Sequence, residues 1–184
     1  MKKFLLLLTL MAANTGGCKP SEHVNPPQTI GERTNEQGVV TQRIVLESSY
    51  TTDEIPVMTP DGLRNRTHGT ATYFLDETNK PRRELPLMPS VVHTSKSGKC
   101  WPVEGTNQWL SAGTDPIGNG DKLYFVLFDE KRIIRTNVFS VVPKWKSEKS
   151  EYELQKGNRI MLIRTPDGLV NYDVLADTTA KVEK

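Results

Sequence analysis

Hydrophobic positions in most of this chain alternate with polar ones or fill short runs, without the three-to-four spacing of a helix. Val39, Val40, Ile44, Val45 and Leu46 precede a polar break at residues 47–49. Further on, Thr70, Thr72 and Phe74 alternate with Ala71, Tyr73 and Leu75. Both patterns predict strands. Residues 123–128, LYFVLF, are apolar at every position, which predicts a central strand covered on both faces. RIIRTNVFSVV (132–142) and RIMLIR (159–164) predict two more strands.

Turn chemistry supports the same reading. TPDGL occurs at 59–63 and again at 165–169, each time after a strand-like run. Proline presets φ, aspartate tolerates the next position, and glycine takes the positive φ that closes a hairpin. The flanks of the two copies do not align, so they read as two hairpins with one turn chemistry. DETNKP (76–81) and Asp129-Glu130-Lys131 predict two further hairpin connections. One short helix is predicted where Ser150 and Glu153 form a capping-box pattern and Gly157 would end it after two turns. Together these elements predict an all-β domain, an antiparallel β-sandwich or partly open barrel built from hairpins, with at most one short helix.

The ends of the chain differ from this pattern. Residues 1–17 carry Lys2 and Lys3, then an apolar stretch from Phe4 to Ala13, which predicts a signal peptide too short to span a bilayer. Residues 19–37 hold three prolines and only two aliphatic residues, Val24 and Ile30, and predict a disordered tether following Cys18. At about 3.1 Å per residue such a tether would reach roughly 60 Å. The predicted organisation is thus a signal peptide over 1–17, Cys18 and tether to residue 37, one β domain over 38–176, and a flexible tail over 177–184.

Charge changes the picture once the leader is set aside. The formal net charge of the 184 residues is +2, and Lys2 and Lys3 supply it. A balanced remainder exerts no global pull on nucleic acid, so nucleic-acid partners are not expected.

Thr15-Gly16-Gly17-Cys18 places small residues directly before a cysteine. This resembles the signal of bacterial lipoproteins, although that family usually has Leu where Thr15 stands. The resemblance implies diacylglyceryl on the Cys18 thiol, cleavage before Cys18, and a membrane partner through the lipid. Lys19, where an inner-membrane protein of the family would carry Asp, implies sorting to the outer membrane, facing the periplasm. Several acyl chains make a stable anchor.

Cys100 is the second of two cysteines, and with Cys18 lipidated it has no partner within the chain. Three roles compete for it: a small buried residue beside Trp101, an intermolecular disulfide, or a nucleophile. His68-Gly69-Thr70 and Ser95-Lys96-Ser97-Gly98-Lys99-Cys100 resemble the motifs of L,D-transpeptidases, β-rich enzymes of the cell envelope. Ser97 occupies the place of that family's catalytic histidine, so Cys100, His68 and His93 form only an alternative catalytic set. A thiol needs an adjacent base or cation to become a nucleophile at neutral pH.

His23, His68 and His93 show no zinc spacing, and Asp115, Asn119 and Asp121 do not follow a calcium-loop pattern, so no metal site or cofactor is expected. Trp101 and Trp109 bracket a polar loop, and Trp145 sits between two lysines. These rings are candidate contacts for a sugar or peptide, and core packing is the competing role of the first two. The leading functional expectation is a non-enzymatic, lipid-anchored binding or assembly module acting on an envelope protein or peptidoglycan. The alternatives are a Cys100-dependent envelope enzyme and an exclusion or immunity lipoprotein.

Overall fold

The computed structural model describes residues 22–52, 57–59, 62–64, 67–86, 99–114 and 119–182. Three antiparallel sheets stack as layers, and no sheet among the described residues closes into a barrel. The first sheet contains β1 (Glu22–Val24), β2 (Gln28–Thr34), β3 (Val40–Thr52), β6 (Thr67–Glu77) and β7 (Arg83–Glu84). Between β3 and β6 lies a small hairpin, β4 (Val57–Thr59) with β5 (Gly62–Arg64). The middle sheet has β8 (Cys100–Pro102), β9 (Trp109–Thr114), β10 (Lys122–Phe128) and β11 (Ile133–Ser140). After one helical turn, α1 (Lys144–Ser147), the last sheet follows: β12 (Tyr152–Gln155), β13 (Ile160–Thr165), β14 (Gly168–Asp173) and β15 (Thr178–Lys181).

Strand β10 explains the layering. Its Leu123, Phe125 and Leu127 pack with Met161, Ile163 and Tyr172 of the last sheet. Val126 and Phe128 pack instead with Ile44, Tyr73 and Leu75 of the first. Successive side chains on a strand point to opposite faces, so an all-apolar strand serves two cores. Trp109 and Leu110 of β9 divide in the same way. Fully burying each such side chain is worth roughly 1.5–3 kcal/mol.

Both TPDGL copies join paired strands, and Pro60 and Asp61 of the first lie outside the described residues. Thr165 pairs with Gly168, whose φ is 121°, and Thr59 pairs with Gly62. At the β10–β11 turn, Asp129 Oδ1 accepts from the backbone N–H of Lys131 and Arg132 at 2.7 and 2.9 Å.

Four expectations need correction. The polar break at 47–49 does not end its strand, because Glu47, Ser48 and Ser49 pair with Thr72, Ala71 and Thr70 and extend the β3–β6 pair beyond the core. The predicted tether is largely strand: β2 pairs with β3 from Gln28 to Thr34, and β1 pairs with the far end of the same strand. Ile30 is buried there, and Gly31 lies so close to β8 that an added Cβ would stand 2.6 Å from the Cys100 carbonyl oxygen. The capping-box segment forms no helix. Tyr152 and Leu154 face the core while Glu153 and Gln155 face water, a period of two, and Gly157 takes its positive φ in the β12–β13 turn. Finally, the predicted tail supplies β15, and Asp177 holds Arg135 of β11 at 3.0 Å.

Candidate functional site

A concave region at the first sheet lies at the end of β3 away from β1. Arg33 of β2, Thr41 and Gln42 of β3, Glu77, Thr78 and Lys80 of the β6–β7 turn, and Thr106 and Asn107 of the β8–β9 loop line a shallow groove of about 450 Å³. Antiparallel pairing of Gln42 with Glu77 brings two of these groups together across 35 positions of sequence.

The charged groups are fixed in place. Arg33 Nη1 donates to the Thr106 carbonyl at 2.6 Å and Nη2 to that of Gln108 at 2.8 Å, with the guanidinium 4.9 Å from the Trp109 ring centre. Burial lowers its pKa from the ordinary arginine value. Glu77 accepts from Gln42 Nε2 at 2.7 Å and Lys80 Nζ at 3.2 Å, and also pairs with Arg83. The Gln42 hydrogen bond is the main cause that holds its carboxyl below the usual range. Arg33 is held by two backbone carbonyls and Glu77 by Gln42, Lys80 and Arg83, so the groove presents a largely fixed polar surface. Nothing in it resembles a poised acid or base.

Cys100 occupies the core between the first and middle sheets, 3% exposed, opposite Ser111 of β9. Burial pushes its thiol up to about 12, outweighing a hydrogen bond with Ser111 that acts in the opposite direction. A thiol so placed stays protonated at neutral pH. Of the two histidines in the alternative catalytic set, His68 sits on a remote part of the sheet backbone. The backbone of His68 pairs with Thr51, whereas Gly31, which touches Cys100, pairs with Ile44. The interval from position 44 to 51 along β3 corresponds to about 23 Å. His93 and Cys18 lie outside the described residues. Among the described residues no three His, Cys, Asp or Glu side chains gather as metal ligands.

The tryptophans separate. Trp109 is 1% exposed and belongs to the core, so it cannot act as a stacking platform. Trp101 is half-buried edge-on to Tyr152, with ring centres 6.4 Å apart, and has a packing role too. Trp145 is 70% exposed on α1, its Nε1 donating to the Asn119 carbonyl at 3.1 Å. Of the three, only Trp145 presents its ring to solvent, with Lys146 Nζ 5.0 Å from the ring centre.

No family model, curated protein or solved structure matches this chain. The site therefore rests on its own geometry. None of the groove residues carries a sequence signal for a site; Glu77, Thr78 and Lys80 read only as a hairpin connection. The groove residues come from four separate segments, which the β2–β3 and β3–β6 registers and the Arg33 hydrogen bonds to the β8–β9 loop bring together.

Proposed function

We propose that this chain is a lipid-anchored protein of a bacterial cell envelope, at the outer membrane facing the periplasm. Its β domain acts as a non-enzymatic binding or assembly module for an envelope protein. The observation that carries the reading is the leader itself: Lys2-Lys3, the apolar stretch from Phe4 to Ala13, and Thr15-Gly16-Gly17 before Cys18. The fixed groove around Arg33 and Glu77 supports the binding role, because its charges are held in position and none is left as a reactive group. Strands β12 and β15, the edges of the last sheet among the described residues, add backbone donors and acceptors of the kind an extended peptide pairs with. Peptidoglycan is the competing ligand.

Fractionation tests the anchor. The wild-type chain should pellet with membranes and resist extraction by high salt, while Cys18→Ser should appear in the soluble fraction. A Cys18→Ser chain that remains with membranes at high salt would contradict the reading. Crosslinking from the groove in whole envelopes then tests the partner class. An Asn107 photo-crosslinker that captures a discrete protein supports the module as proposed, and capture of glycan fragments alone would replace that partner with peptidoglycan.

A further inference from the structure

A 19-residue tether would let the domain roam, but the fold takes up most of that length. Glu22 pairs with Thr51, His23 with Tyr50 and Val24 with Ser49, so β1 is fastened to the end of β3. Asn25 continues the attachment: its N–H donates to the Ser48 carbonyl at 2.9 Å and its Nδ2 to Ser48 Oγ at 3.0 Å. Between Cys18 and Glu22 only Lys19, Pro20 and Ser21 remain. Four Cα steps span at most about 14 Å, against roughly 60 Å for the free tether.

We infer that the β1 end of the first sheet rests against the headgroup layer of the anchoring membrane, with the groove held at the opposite end. This inference rests on lipidation at Cys18. The sheet end nearest the anchor carries Val24, 76% exposed, on one face and Tyr50, 38% exposed, on the other, the Tyr50 ring stacking on His23 at 4.9 Å. An amphipathic aromatic pair suits the headgroup level, where one face meets apolar groups and the edge meets water. Strand β3 then sets the height of everything else. Its residues 40–52 extend for about 40 Å at strand rise. Gln42, in the groove, stands about 30 Å from Thr51 by the same rise. The groove is thereby turned toward the aqueous compartment and away from the bilayer that holds the chain.

The test uses the full lipidated chain in vesicles of phosphatidylethanolamine and phosphatidylglycerol containing a nickel-chelating lipid. Spin labels are placed singly by Val24→Cys and Glu36→Cys, both at exposed positions, while buried Cys100 stays unlabelled. Intact mass first establishes the acyl chains on Cys18. Relaxation by headgroup nickel should be several-fold stronger at position 24 than at position 36. Equal or reversed relaxation in a lipidated chain would overturn the inference and leave the anchoring proposal standing. A chain without acyl mass would overturn both. Inserting about twenty Gly/Ser residues between Ser21 and Glu22 should erase the contrast between the two labels. A contrast that survives the insertion would show that the short connection is not what sets the orientation.

Discussion

The two cores on either face of the middle sheet are built from different material. Between the middle and last sheets, the Phe125, Phe139 and Tyr172 rings pack with centres 5.0–6.1 Å apart, and Leu123, Leu127, Met161 and Ile163 fill the rest. The strands that meet there follow one another along the chain. Between the first and middle sheets the core includes Cys100 opposite Ser111, Tyr73, and Trp109 beneath Arg33. That core is closed by β2, whose central residues come from a polar stretch far from β8 in sequence. One interface is sealed by aromatic volume and the other by close backbone approach, and the two should fail in different ways.

Four perturbations separate them. Phe125→Ala should have the largest effect, a loss of about 4 kcal/mol read by chemical denaturation, because it empties a fully buried aromatic site. Gly31→Val should follow at about 2–3 kcal/mol, because the added atoms meet the Cys100 backbone, which cannot rotate aside as a side chain can. The third perturbation is acid. The Glu77 carboxyl lies below its ordinary value of 4.5 in the folded chain, so its contribution is present above that pH and lost as pH falls through the lowered folded-state value. Glu77→Gln should therefore flatten the acid side of the stability profile, and an unchanged profile would remove the groove network from the account.

The smallest effect in energy is the most selective. Cys100 should not react with a thiol reagent in the native chain at neutral pH, since it is buried and protonated. Gly31→Val should accelerate that reaction more than Phe125→Ala does, although it costs less stability. Labelling rates that simply follow the two stabilities would mean that both interfaces open as one unit.

What the sequence revealed follows the same division. LYFVLF, RIMLIR and the second TPDGL turn announce the middle and last sheets, because apolar runs and turn residues are local signals. Strand β2 gives no such signal. In QTIGERT only Ile30 is apolar, and Gly31 contributes through the side chain it lacks, which composition cannot express. Prolines at 26 and 27 further disguise the segment as a linker. The groove was illegible for another reason: Arg33, Gln42, Glu77 and Thr106 become neighbours only through strand register. The burial of Trp109 and the exposure of Trp145 likewise depend on which layer lies above each ring.

The central claim is that residues 22–34 belong to the folded sheet. Hydrogen exchange of the full chain, followed by peptide-resolved mass spectrometry, tests this most directly. Peptides covering Gln28–Thr34 should exchange orders of magnitude more slowly than an unstructured chain, and close to the rate of their partner residues 40–46. Exchange of those peptides at the unstructured rate, with 40–46 still protected, would contradict the account.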